Sequence, residues 1–359
     1  MTATPATPTP EAPNPESSMP AFVVHRPGSA EVDEVERPQV RPGEVVAEVV
    51  ATGICGSDLE VLDGRRPEEY VRYPVVIGHE WVGRVNAVGA GVTRVRPGDG
   101  IVAEGLRNCG TCPRCAEGRT NLCAGEYAET GFTHPGAMAE MVAVPASQVH
   151  PLPDAMTSES AALLEPAACV AGGLLEVGYP APGARVAVVG DGPLGLLGVM
   201  LLTMSGPREL ILVGRRGSRM AQGRALGATG SVDARDTDAL ASMRGRFDLV
   251  VEATNAAAGI ASALTLPRRG GTAVLLGISG SSEPAIEPDV FALAHLRVQG
   301  VFAASRSAWQ HVVGLYGAGA FDPAPLVSHR FGLSDTAKAL DTLRDRDAGA
   351  VKVLIHPHM

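Results

Sequence analysis

The chain has almost no lysine. Lys338 and Lys352 are the only two, and arginine supplies the rest of its 30 basic residues. Arginine clusters therefore carry less meaning here than in a chain of mixed basic composition. Positive charge is itself in deficit. Thirty-nine acidic residues leave a formal net charge of −9, with no basic footprint for nucleic acid or an anionic membrane. Aromatic residues make up only 4%. No apolar run reads as reaching the roughly 18–20 residues a membrane helix needs, so no membrane partner is expected. No Lys or Arg precedes Arg26 and no apolar signal core is visible, which sets a cytoplasmic expectation. The opening MTATPATPTPEAPNPESS is too poor in large apolar groups to offset its ordering entropy. A disordered tail is expected over 1–19, with order beginning near Met19.

What is plentiful is glycine (43) and proline (28), which suits an α/β chain with many tight turns. At 359 residues there is room for two domains. Cysteine is scarce and unevenly placed. Of six, four (Cys109, Cys112, Cys115 and Cys123) fall in RNCGTCPRCAEGRTNLC. Without an export signal disulfides are not expected. The spacing C-x2-C-x2-C-x7-C can close a tetrahedron of thiolates, with Gly110, Pro113 and Gly118 supplying the turns. A closed, structural zinc site follows, holding a lobe over 107–124.

The other two cysteines lie beside acids and a histidine. GICGSDLE carries Cys55, Ser57, Asp58 and Glu60; GHEWVGRVNAVGAGV carries His79 and Glu80; LLEPAACVAG carries Glu165 and Cys169. One Cys, one His and one Glu match a three-ligand zinc site that leaves a position for water or substrate. Asp58 could accept the far N–H of His79 and fix its tautomer. Cys169 stands four residues after Glu165, on the same face if the segment is helical. It competes as third ligand, and Glu165 is favoured because Cys169 would project from a deeper turn.

A third pattern is RVAVVGDGPLGLLG. The apolar run Val186–Val189 reads as a buried parallel strand. Gly190, Gly192 and Gly195 then give G-x-G-x-x-G, and an apolar helical stretch follows. This is the dinucleotide fingerprint, with Pro193 and Leu194 inside it and pyrophosphate expected on the helix N-terminus. The next strand should end in an acid for NAD. Here Gly214 stands in that place, followed by Arg215, Arg216, Ser218 and Arg219. No carboxylate is expected to repel a 2′-phosphate, and the guanidinium forks can pair with one, so NADP is expected over NAD. Alternating strands and helices from there imply a doubly wound parallel sheet of the Rossmann type, while residues 20–160 read as β-rich.

The CGSD element, the GHE element, the four-cysteine lobe and the LEP element, in this order, resemble the zinc-containing medium-chain dehydrogenases/reductases. The likeness is strongest to the sorbitol, threonine and related polyol dehydrogenase branch. The family signature G-H-E-x2-G-x5-G-x2-V is met at Gly78, His79, Glu80, Gly83, Gly89 and Val92. The resemblance implies a β-rich GroES-like catalytic domain over 20–160 and 308–359, and a Rossmann domain over 161–307. It implies a reactive zinc on Cys55, His79 and Glu165, with Glu80 as a near ligand that exchanges with water. Ser57 resembles the family's relay hydroxyl, and Glu60 stands where many relatives have the relay histidine. Phe132 and Thr133 are candidates for the substrate pocket beside Ser57 and His79, although Phe132 could equally be core. The implied reaction is hydride transfer between a secondary alcohol, or its ketone, and NADP(H). The implied assembly is a homodimer or homotetramer joined through the Rossmann sheets. Two other readings share the scaffold: a zinc-free enone or quinone reductase, which should lack Cys55, His79 and the cysteine lobe, and a non-catalytic nucleotide-binding relative.

Overall fold

The computed structural model describes residues 17–153, 156–279, 286 and 288–359. The tail expected over 1–19 lies outside the described residues up to residue 16; Ser18 and Met19 already belong to the first strand.

The described residues form three sheets. Ser18–Arg26 (β1) and Ser29–Glu36 (β2) form an antiparallel hairpin, extended by Val75–Val76 (β4). A larger sheet takes Glu44–Gly53 (β3), Glu80–Val88 (β5), Gly100–Ala103 (β6), Met141–Pro145 (β7) and Val149–Leu152 (β8). Two C-terminal strands, Val327–Gly332 (β15) and Lys352–His356 (β16), complete it in the order β15-β16-β3-β5-β6-β8, with β7 also paired to β3. The chain end therefore returns to the first half, with Leu354 opposite Gly53 and Ile355 opposite Thr52. That return carries Lys352 to the end of β3, where Cys55 emerges.

The third sheet is parallel throughout. Its strands are Arg185–Val189 (β9), Glu209–Gly214 (β10), Gly230–Asp233 (β11), Phe247–Glu252 (β12), Pro267–Leu275 (β13) and Arg297–Gly300 (β14), in the order β11-β10-β9-β12-β13-β14. The order reverses at β9, which places a ligand crevice at the carboxyl ends of β9 and β12. Val186 to Val189 are all buried, as a strand covered on both faces requires.

Among the described residues ten helices link these strands: Gly56–Leu62 (α1), Pro113–Ala116 (α2), Leu164–Val177 (α3), Pro193–Thr203 (α4), Gly217–Ala225 (α5), Thr237–Ser242 (α6), Ala257–Thr265 (α7), Asp289–Leu293 (α8), Arg306–Gly317 (α9) and Thr336–Arg344 (α10). One apolar core joins the two large sheets. Ala51, Val82 and Val102 pack with Leu164, Ala168 and Leu174 of α3, and these with Val186, Leu197 and Trp309. Helix α3 is the bridge. With the 3₁₀ turn before it, Glu159–Val177 is 19 residues long and apolar enough to cross a membrane, contrary to the expectation that no run reaches that length. It is 72% buried inside the protein and serves as a core helix.

Candidate active site

Cys55 follows β3 and caps α1. Its backbone N–H donates to Asp58 Oδ2 at 2.7 Å. The other oxygen of the same carboxylate, Oδ1, faces His79 Nδ1 at 3.5 Å. Asp58 is fully buried, so one carboxylate fixes both the loop carrying the cysteine and the ring of the histidine. It leaves Nε2 as the ring's ligand atom. Burial opposes a proton on His79, but the charge and hydrogen bond of Asp58, with Cys55, hold its pKa well above the usual imidazole value.

The residues expected at the reactive zinc divide. Ligand atoms of Cys55, His79 and Glu80 all lie within 4.8 Å of one another. Glu165 is not in that group. It opens α3 and accepts Cys169 Sγ at 3.6 Å. Burial, with the charges of Glu80 and Glu129, pushes Glu165 up to about 7 against the pull of His79. Cys169 is pushed well above the thiol range by burial and by Glu165, so it is a neutral donor to Glu165. Glu80 has a partner that the sequence reading missed. Lys352, 2% exposed, pairs with Glu80 Oε2 and donates to Ile54 O at 3.1 Å. A lysine inside the apolar strand KVLIH, in a chain with two lysines, was the available signal.

Sulfur, nitrogen and oxygen donors converge here in a buried site, with two buried atoms, His79 Nδ1 and Asp58 Oδ1, that have no other partner. That donor set fits zinc with one position open. The four lobe cysteines fit the closed type. Their sulfurs lie within 4.8 Å of one another, and all six cysteines are free. Backbone N–H groups aim at the sulfurs: Cys112 at Cys109 (3.3 Å), Cys109 at Cys123 (3.4 Å) and Ala124 at Cys112 (3.5 Å). Hydrogen bonds from the Thr111 and Cys112 backbone bring Cys109 down to about 6, while burial raises Cys115 to about 12.

Ser57 and Glu60 both sit half-buried on α1, three residues apart and so on one face. The start of α1 approaches the parallel sheet: a Cβ on Gly56 would lie 3.7 Å from Asn255 Nδ2, in the loop after β12. The metal cluster therefore stands at the carboxyl-end crevice. Phe132 is both core and lining, 1% exposed with its ring 4.8 Å from His79. Thr133 is tied locally, its Oγ1 accepting the Glu129 N–H at 2.8 Å. Behind Phe132 is a polar group that the sequence reading missed. Arg66 lies 3.7 Å over the ring and bonds Tyr127 (2.8 Å) and the buried Glu129 (3.2 Å). These partners are some sixty residues apart, beyond the reach of local pattern.

At the glycine loop, Gly190 has φ of 120°, and a Cβ on Gly195 would lie 1.8 Å from Gly190 O. Around Gly192 a Cβ would meet nothing within 4 Å. The loop thus presents open space at the N-terminus of α4, where Pro193 and Leu194 begin the helix, and this fits a pyrophosphate. Arg215 is exposed and Arg216 half-buried, and among the described residues neither guanidinium forms an ion pair, leaving both available to an anion. Arg219, also expected at the cofactor, lies against the glycine loop. It donates to Asp191 O at 3.5 Å and to Ala350 O, tying the glycine loop to the segment before β16.

Comparison with known proteins agrees with this architecture. Residues 41–154 match the alcohol dehydrogenase GroES-like domain, and 193–317 match the zinc-binding dehydrogenase domain. An L-threonine 3-dehydrogenase of Mesorhizobium japonicum is 30% identical over 328 residues, covering 89% of this chain and 94% of that one. A zinc-binding dehydrogenase from Sinorhizobium meliloti 1021 bound to NADP superposes with a TM-score of 0.87 at 32% identity, covering 95% of this chain and all of the other. An alcohol dehydrogenase from Escherichia coli CFT073 complexed with NADH gives 0.87 at 27% identity, covering 95% and 99%. With a GroES-like half, a Rossmann half and two cysteine-bearing clusters able to hold a metal in their expected order, the chain belongs to the zinc-containing medium-chain dehydrogenases/reductases, in the branch of the sorbitol and threonine dehydrogenases.

Proposed function

We propose that this protein is a zinc-dependent dehydrogenase of secondary alcohols that uses NADP(H). The observation that carries the reading is the placement of the Cys55–His79–Glu80 cluster at the carboxyl-end crevice of the parallel sheet, with Gly56 against Asn255. When bound, zinc supplies Lewis acidity that lowers the pKa of an alcohol, and the nicotinamide supplies a hydride acceptor. Cys55, His79 and either Glu80 or Glu165 would hold the metal. Lys352 pairs with Glu80, and Glu165, buried beside the same residues, is the alternative carboxylate donor. The Ser57 hydroxyl takes the proton of the substrate hydroxyl and passes it outward along α1 to Glu60. Phe132 walls the site beside His79 and excludes water.

Preference for NADP rests on Arg215 and Arg216, which among the described residues form no side-chain ion pair, beside a strand that itself ends in Gly214; the one carboxylate against that glycine, Asp191, is taken up by the backbone N–H groups of the two arginines. The NADP-bound relative supports it. Free thiols at all six cysteines suit a reducing cytoplasm. Assembly as a homodimer or homotetramer is supported by apolar residues exposed along the parallel sheet's edge.

The test combines a zinc count with a panel of secondary alcohols and ketones run with both cofactors. One zinc per cluster and alcohol-dependent NADPH formation are expected. Zinc in the lobe alone, with no turnover, overturns the reading; enone reduction insensitive to chelator would replace it with the zinc-free reductase. Glu60→Gln should flatten the pH–rate profile. An unchanged profile with raised KM would make Glu60 a substrate contact instead.

A further inference from the structure

Asp191 is the one charged residue inside the glycine loop GDGPLG. Its Oδ2 accepts the backbone N–H of Arg215 at 2.8 Å and that of Arg216 at 2.7 Å. It also fills the space of a side chain that is missing. A Cβ on Gly214 would stand 2.7 Å from Asp191 Cβ and 2.8 Å from its Oδ2. The glycine at the end of β10 and the aspartate in the loop are thus two halves of one packing arrangement. Any side chain at 214, acidic or not, collides with Asp191.

The carboxylate also pins the turn that leads into α5. Arg216 is the N-cap of α5, in extended conformation, and caps nothing with its own side chain. Asp191 reaches across from the neighbouring loop and satisfies two of the N–H groups that would otherwise be open at that turn. Their hydrogen bonds and the helix dipole offset its negative charge. Two consequences follow. The backbone N–H groups of residues 215 and 216 are occupied, so an anion at this corner must be bound by side chains. The Cα positions from which the two guanidiniums extend are fixed to the loop that receives the pyrophosphate. Arg219, bonded to Asp191 O, braces the same loop from the other side.

We infer that Asp191 is a positioning residue for cofactor selection: it touches no phosphate, yet it sets the Arg215–Arg216 turn against the glycine loop so that the pair receives a ribose 2′-phosphate. This rests on the NADP reading. The competing role is direct, with Asp191 accepting a ribose 2′-OH in place of the acid missing from β10, which would select NAD.

The test uses the zinc-loaded enzyme and measures dissociation constants for NADPH and NADH, and for the adenosine-end probes 2′,5′-ADP and 5′-AMP, by calorimetry. Wild type is compared with Asp191→Asn, which keeps an acceptor oxygen and the side-chain shape, and with Asp191→Ala. Melting temperatures confirm that each variant is folded. Loss of charge-assisted hydrogen bonds that hold a binding turn predicts about tenfold or greater weakening of NADPH and 2′,5′-ADP in Asp191→Ala. On the same grounds NADH and 5′-AMP should change by less than about threefold, and Asp191→Asn should stay near wild type. Equal weakening of both nucleotides would reduce Asp191 to loop scaffolding and overturn the inference. Tighter NADPH binding in either variant would overturn it in favour of the direct role. A wild type that prefers NADH sinks the NADP reading alone, because the inference is judged on the change in the NADPH to NADH ratio between wild type and Asp191→Ala.

Discussion

Lys352 shows how a single residue can hold a site together without taking part in its chemistry. It is 2% exposed and Glu80 is 1% exposed, so neither charge is solvated, and each depends on the other. Lys352→Met keeps the volume and strands the carboxylate. Breaking a buried ion pair from one side costs about 3–5 kcal/mol. The expected result is a lower denaturant midpoint at unchanged slope, with most of the loss recovered in Lys352→Met/Glu80→Gln. A midpoint that stays in place in the single variant would mean that the pair is not needed for stability. The site's own donors were legible because each sits in a short motif of chemically rare residues. Lys352 was not, because 272 residues separate it from Glu80 and only the closing of β16 on β3 brings them together. Asp191 was legible as a loop residue and illegible as the anchor of the Arg215–Arg216 turn, since its role depends on what faces it.

At the scale of elements, the 3₁₀ turn at Glu159–Leu163 that leads into α3 is fastened to the C-terminal strands by one carboxylate. The Nε–H of Arg330 in β15 donates to both Glu159 oxygens, at 2.8 and 2.9 Å, and His356 of β16 approaches to 3.0 Å. The Arg330 hydrogen bonds, then its charge against partial burial, hold Glu159 below the usual carboxylate range. A depressed folded pKa means that the stabilisation is complete above the unfolded value, about 4.3 for glutamate, and fades as pH falls through the folded one. Glu159→Gln should therefore cost at most about 1 kcal/mol at neutral pH, discounted because Arg330 is half exposed. The difference from wild type in urea midpoint should shrink towards zero below about pH 4. A difference that persists in acid would place the effect in packing instead. Element type was mostly readable: the glycine loop sits between a Val-rich strand and an apolar helix, as the pattern requires. The long helix was misjudged because Glu159, Glu165 and Glu176 interrupt its apolar run. Glu159 and Glu176 are held from outside, by Arg330 and by Arg119 of the zinc lobe, and Glu165 is turned into the reactive site. That arrangement exists only in three dimensions.

At the scale of the whole molecule, the parallel sheet ends unfinished. Strand β14 pairs with β13 on one side, and among the described residues no strand pairs its other side. Around it Val298, Phe302, Leu293 and Ile278 are exposed at 37%, 41%, 73% and 67%. An apolar open edge is the kind of surface that another strand covers, and a second copy can cover it by two-fold symmetry. Pairing of β14 with its symmetry mate would continue the sheet across both chains. The metal cluster, the glycine loop and the arginine pair all come from one chain, so the contact is not needed to assemble the site. Val298→Asp places a charge on each side of that seam without touching any of these groups. The expected outcome in light scattering at micromolar concentration is a shift of mass towards the monomer. The reactive zinc should stay bound and the NADPH dissociation constant should hold within about threefold, the scatter expected for a distant surface change. An unchanged mass would move the interface elsewhere, and loss of zinc along with the dimer would show that the crevice depends on its neighbour after all.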